Sequence, residues 1–149
     1  MNRPEFVVDA SVAIKWILPE DGQAQAMRLQ EMYQDEELDL VAPYLLISEV
    51  GNVLWKRVRR GELTRSSAHR CFEQLLRDCP ILLDSPAVQA SSLHLALAHD
   101  RTVCDCLYLA WALEERCDLI TADQKFFKSV RVAFPCVRLL SDFDRRVQG

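Results

Sequence analysis

Residues 6–18 read FVVDASVAIKWIL, and the way that stretch divides decides the fold. Phe6-Val7-Val8 is a continuous apolar run ending at Asp9, the pattern of a strand buried on both faces. Ala10 to Leu18 then reads as a helix stopped by Pro19. The same unit recurs. Leu40-Val41-Ala42 precedes a helical pattern from Pro43 to Arg60 that ends at Gly61, and Ile81-Leu82-Leu83 precedes helices over Ala87 to Ala98 and Val103 to Glu115. Asp118-Leu119-Ile120-Thr121 runs into Ala122-Asp123 and a short helix, and Val137 to Leu140 precedes a closing helix around Asp142 to Val147. Two more helices are expected, one from near Gly22 and one from Thr64 to Arg77. Short apolar strands alternating with helices predict an α/β fold, a three-layer α/β/α sandwich around a mostly parallel five-stranded sheet, in one domain over residues 1–149. Such sheets bind ligands beyond the carboxyl ends of their strands, where the strand order reverses.

Composition narrows the function. The chain carries 18 Lys and Arg against 22 Asp and Glu, a net charge of −4, and half of its 149 residues are apolar. That excludes a disordered tail, and the acidic balance argues against coating of nucleic acid by bulk charge alone, so any contact with nucleic acid needs a local site. Asp9 and Lys15 interrupt the first apolar stretch, which therefore is no export signal, and no run approaches the roughly 18 apolar residues that span a bilayer. A cytoplasmic protein is expected. Cys71, Cys79, Cys104, Cys106, Cys117 and Cys136 form no C-x-x-C pair and read as reduced core thiols. His69, His94 and His99 lack metal-ligand spacing.

Four acids stand out. Asp9 ends the first strand and Asp123 follows the fourth in LITADQKF, so their carboxylates share one end of the sheet if those strands are neighbours. Either residue alone reads equally well as a helix cap. Glu49, in YLLISEVGNVLW, shares a helical face with Leu45, Leu46 and Val53, and Asp105, in TVCDCLYLAWAL, shares one with Leu109 and Ala112. A carboxylate on an apolar stripe costs free energy unless it is paired or holds a metal, although Asp105 also sits in a first turn, where the helix dipole favours an anion. The nearest bases in sequence, Lys15 and Lys125, read as solvated.

Four converging acids without basic partners repel one another unless a cation lies among them. An all-carboxylate set without His or Cys selects a hard ion, Mg²⁺ or Mn²⁺, with Asp9, Glu49, Asp105 and Asp123 as ligands. Ser11, Asn52 and Thr121 lie close in sequence and are candidates to hydrogen-bond around them. The matching reaction is metal-assisted hydrolysis of a phosphate ester. A phosphatase with a nucleophilic strand-end Asp is the competing class, but it usually wants a second acid adjacent or two residues on, and DAS has Ser11 there.

VVDASVAIKWILPE, ISEVGNVLWK, CDCLYLAWA and LITADQKF together resemble the successive acidic motifs of the PIN domain, and more narrowly of the VapC-type ribonuclease toxins of bacterial toxin–antitoxin pairs. The match runs from Phe6 to about Leu140 with every motif in family order. The resemblance implies a Mg²⁺-dependent endoribonuclease with Asp9, Glu49, Asp105 and Asp123 as its acidic quartet, Asp9 and Asp105 being the most direct ligands. It also implies a structured RNA substrate, a homodimer, and a small antitoxin lying across the site. A PIN-type RNA-processing nuclease without an antitoxin and an inactive PIN-fold binding module are the alternatives. One local departure is that Cys104 and Cys106 flank the third acid, where the family commonly has tyrosine and alanine.

The densest basic stretch, KRVRRGELTRSSAHR, offers Lys56, Arg57, Arg59, Arg60, Arg65 and Arg70 as a wall of an RNA cleft or simply as a solvated helix end. Lys125, Lys128 and Arg131 form a second set. Trp16, Trp55 and Trp111 read as core residues rather than stacking platforms. Ala26, Leu29 and Met32 form an apolar stripe that fits either the core or a surface for a dimer or antitoxin.

Overall fold

The computed structural model describes residues 2–147. Strands β1 (Glu5–Val8), β2 (Asp39–Pro43), β3 (Ile81–Leu83), β4 (Asp118–Thr121) and β5 (Val137–Leu139) form one sheet in the order β3-β2-β1-β4-β5. Every pairing is parallel, so the expected mostly parallel sheet is a wholly parallel one. Parallel neighbours need long crossovers, which the helices supply. They are α1 (Ala10–Ala13), α2 (Gln23–Gln34), α3 (Leu45–Arg59), α4 (Arg65–Arg77), α5 (Pro86–His99), α6 (Val103–Glu115), α7 (Gln124–Val130) and α8 (Leu140–Val147).

The chain builds outward from β1 to β3, then returns to lay β4 and β5 on the other side of β1. Strand order therefore reverses between β1 and β4. Helix α3 packs on α1 and α4, and α5 packs on α6, two helical layers of the kind that right-handed crossovers build on opposite faces of such a sheet. The central strands are buried on both faces, as their unbroken apolar runs require: Val7, Val8, Leu40, Ala42, Leu119 and Ile120 are all inaccessible to solvent. Helix α6 packs across β1, β2 and β4, which is why Cys106 to Ala112 are buried without a break.

Five expectations need correction. The first helix is a single turn, α1, continued by a 3-10 turn over Ile14–Trp16 rather than by α-helix to Leu18. The tighter winding lets the Trp16 indole enter the core and donate to the Ala26 carbonyl at 2.9 Å. Trp55 is not a core residue: it is 54% exposed, because α3 buries the stripe Leu46, Val50 and Leu54, and the next position rotates outward. Lys15 is not solvated, its side chain being only 12% exposed and paired with Glu20. The cysteines divide, Cys106 being buried, Cys104 exposed and the other four half-buried. The last strand stops at Leu139, and Leu140 already belongs to α8. The Ala26 and Leu29 stripe belongs to the core, with Met32 half-buried against it.

Candidate active site

Asp9 and Asp123 leave the carboxyl ends of β1 and β4, which pair with Val8 opposite Ile120. The two acids thus flank the reversal in strand order. Both also cap helices: Asp9 Oδ1 accepts from the Val12 N–H at 3.3 Å, and Asp123 Oδ1 accepts from the Phe126 N–H at 3.0 Å. Capping occupies one oxygen of each carboxylate and does not compete with a second task for the residue.

Asp9 is held through both oxygens. Ser11 Oγ donates to Oδ1 and Thr121 Oγ1 donates to Oδ2, each at 2.5 Å. The Ala122 N–H donates to Ser11 Oγ at 2.8 Å, and the Asp123 N–H donates to Thr121 Oγ1 at 3.1 Å. A backbone N–H can only donate, so each hydroxyl accepts there and passes its own proton on to Asp9. Two parallel relays from the β4–α7 turn therefore fix one carboxylate at the end of β1. Burial, with a smaller push from the charge on Asp123, raises the Asp9 carboxyl to about 6 against the lowering effect of these hydrogen bonds.

Glu49 projects from the second turn of α3 and Asp105 from the first turn of α6, whose N-cap Thr102 accepts from the Asp105 N–H at 3.1 Å. Burial raises the carboxyl pKa of both. Each also feels another acid, Asp105 acting on Glu49 and Asp123 on Asp105. The Tyr108 hydroxyl donates to Glu49 Oε1, which favours the ionised carboxylate, and the Arg101 charge does the same for Asp105.

Asp9, Glu49, Asp105 and Asp123 line a single cavity of about 100 Å³ together with Ser11 and Tyr108, and no basic side chain lines it. Thr121 sits behind Asp9, fully buried. Asn52 lies exposed one turn beyond Glu49 and does not reach the cavity. Tyr108 was not anticipated, although its position three residues after Asp105 on the same helical face was the available signal. Arg101, just ahead of the α6 N-cap Thr102, was missed as well, since no helical spacing links it to Asp105.

The basic stretch does not line this cavity. Along the α3 axis Lys56 lies about 10 Å and Arg60 about 16 Å beyond Glu49. Arg57 is engaged by two carboxylates, with Glu20 at 3.9 Å and Glu62 at 3.5 Å. The Arg59 guanidinium stacks over the Trp55 ring at 4.9 Å. Lys125, Lys128 and Arg131 are exposed on and just beyond α7.

The donor set suits a hard divalent cation: four carboxylates, no imidazole or thiolate, and no internal base to neutralise them. Among the described residues no three such groups stand close enough to grip an ion unaided. An ion held there would keep much of its water, as Mg²⁺ characteristically does.

The PIN domain model matches residues 6–132. Ribonuclease VapC3 of Pyrobaculum aerophilum is 36% identical to this chain over 124 residues, covering 81% of this chain and 91% of that protein. Among solved structures, PAE2754 from Pyrobaculum aerophilum superimposes with a TM-score of 0.72 at 23% identity, covering 98% of both chains. Mycobacterium tuberculosis VapC20, a sarcin–ricin-loop-cleaving toxin, superimposes with a TM-score of 0.60 at 12% identity, covering 83% of this chain and 94% of that one. At those identities the two structures speak for the fold alone. The parallel sheet, the acids at its strand-order reversal and the match over residues 6–132 lead to one assignment: this chain belongs to the PIN domain family.

Proposed function

We propose that the protein is a Mg²⁺- or Mn²⁺-dependent endoribonuclease, the toxin of a VapBC-type pair. The observation that carries this reading is the convergence of four carboxylates from β1, α3, α6 and β4 on one cavity that no basic side chain lines. The 36% identity to a protein named Ribonuclease VapC3 supports RNA as the substrate.

Asp9 and Asp105 would be the direct ligands of the ion, with Glu49 and Asp123 tuning it and positioning the water it keeps. A divalent ion bound there acidifies a water and stabilises charge on the phosphoryl and leaving oxygens. Ser11 and Thr121 keep Asp9 in one rotamer, so its lone pairs are presented without reorganisation. Tyr108 holds Glu49 through Oε1 and leaves Oε2 to orient the attacking water and take its proton. Asp123, exposed at the mouth, positions water on the open side. A small antitoxin covering the cavity, a homodimer and a cytoplasmic location complete the reading. The exposed Leu93 and Leu97 of α5 are consistent with self-association, and no helix among the described residues is long and apolar enough to cross a membrane.

The test is cleavage of total RNA with and without Mg²⁺ or Mn²⁺ by the wild type and by Asp9→Asn. Ion-dependent cleavage by the wild type alone is expected. Equal cleavage by both, or by neither with any divalent ion, overturns the reading.

A further inference from the structure

Beside the acidic cavity lies a second one of about 330 Å³, within the size range of small-molecule pockets. The two share the β4–α7 turn: Asp123 lines the acidic cavity, while its neighbours Ala122 and Gln124 line the second. They share the first helical segment as well, Ser11 facing one and Lys15, about one turn on, facing the other. The wall between them is fixed, because the Ala122 N–H donates to the same Ser11 hydroxyl that holds Asp9.

The lining chemistry differs from that of the acidic cavity. Lys15, Asp21, Gln25, Gln124 and Ser141 present donors and acceptors around a floor that includes Leu139 and Leu140. Lys15 is the most enclosed charge, and its contact with Glu20 Oε1 is loose at 4.0 Å. Gly22 leaves room beside the Lys15 stem, where a Cβ would come within 3.7 Å of it. A bare phosphate is a poor occupant, since Asp21 would repel it. A planar heterocycle with both donor and acceptor edge groups, laid on an aliphatic floor, satisfies the whole set. Glutamine pairs with N6 and N7 of adenine and lysine with O6 and N7 of guanine, and both are purine edges. Unstacked RNA bases are read on these edges by proteins that take single strands.

We infer that this cavity seats the purine base of a nucleotide flanking the scissile phosphate and sets the cleavage preference of the enzyme, with Lys15, Gln25 and Gln124 as specificity-determining residues. The inference rests on the ribonuclease reading above and deepens it.

The experiment compares the wild type with a Gln25→Ala, Gln124→Ala double variant on a random-sequence RNA pool and on total RNA, with Mg²⁺ and with Mn²⁺, followed by sequencing of the cleaved ends. Both substitutions put alanine at helical positions, so the fold is retained, and melting temperature verifies it. The wild type is expected to enrich a purine at one position beside the cut by about tenfold, and the variant to lose most of that enrichment, its rate at purine sites falling toward that at the other sites, which it still cuts. Lys15→Met is expected to reduce guanine more than adenine at that position. No purine enrichment in the wild type, or unchanged enrichment in the double variant, overturns the subsite and leaves the ribonuclease reading standing. A folded double variant that cuts nothing also overturns it, since these residues would then do more than select. Failure of the wild type to cut any RNA with either ion overturns the ribonuclease reading and this inference with it.

Discussion

The Tyr108 hydroxyl donates to Glu49 Oε1 at 2.5 Å and so ties α6 to α3 across 59 residues of sequence. Burial raises the phenol pKa far above neutrality and the Glu49 charge adds to it, so the group remains a donor at every working pH. Tyr108→Phe removes only that donor. The rate of RNA cleavage is expected to fall about tenfold with little change in KM, a loss of about 1.4 kcal/mol in the transition state. A parallel change in KM would mean that Tyr108 serves RNA binding instead.

Thr121 relays the Asp123 N–H to Asp9 Oδ2 from a fully buried position. Thr121→Val keeps the shape, strands one N–H and leaves Oδ2 without a donor. Urea unfolding is expected to show a loss of about 1–3 kcal/mol, and titration a weaker affinity for Mg²⁺. Thr121→Ser retains the hydroxyl and is expected to restore most of both.

Asp9 titrates near 3.9 in an unfolded chain and at about 6 in the fold. Between those values the folded state binds the extra proton, so metal-free stability falls as pH rises through that window and the penalty is complete above it. Its size is about 1–3 kcal/mol. Asp9→Asn is therefore expected to lose this pH dependence in chelator, its melting temperature staying flat between pH 4 and 7 where that of the wild type falls. Excess Mg²⁺ should raise the wild-type melting temperature and leave the variant unmoved. A wild-type melting temperature that is flat with pH between 4 and 7 would contradict this account.

Arg59 and Arg60 are exposed at the end of α3, whereas Arg57 is engaged by Glu20 and Glu62. Glutamate at both 59 and 60 is expected to weaken RNA binding and flatten its salt dependence by about two counterions. Arg57→Ala is expected to leave the salt slope alone and to cost up to about 1 kcal/mol in stability. Identical slopes for all three proteins would assign the whole stretch to plain surface.

All six cysteines are free thiols, and the two beside Asp105 face apart, Cys104 to solvent and Cys106 to the core. Mild oxidation is accordingly expected to leave cleavage unchanged. Activity that falls on oxidation and returns with a thiol reductant would show that Cys104 gates the site.

Much of the architecture was legible because buried parallel strands have a distinctive sequence pattern. Val7-Val8, Leu40-Val41-Ala42 and Leu119-Ile120 have no polar alternation, which is tolerable only where both faces are covered. Trp55 was misread because an apolar stripe on a helix does not say which neighbouring position turns outward. Helix α4 packs beside α3 and leaves the Trp55 ring under Arg59. Lys15 was misread because sequence shows its charge but not Glu20, Gly22 and Leu140 folded around its stem.

The sequence by itself determined the kind of chemistry available: four acids without His or Cys partners, two at strand ends and two on apolar helical faces, numerically equal to the whole net charge of −4. It also determined that strands and helices alternate, since both signals are local periodicities. Only the tertiary structure decided that β1 lies against β4, that Thr121 and the Asp123 amide therefore hold Asp9, and that Tyr108 holds Glu49 while Asn52 faces away. Those relationships join residues far apart in the chain. They follow from strand order and crossover handedness, which depend on burying both faces of the sheet at once and leave no trace in any single stretch of sequence.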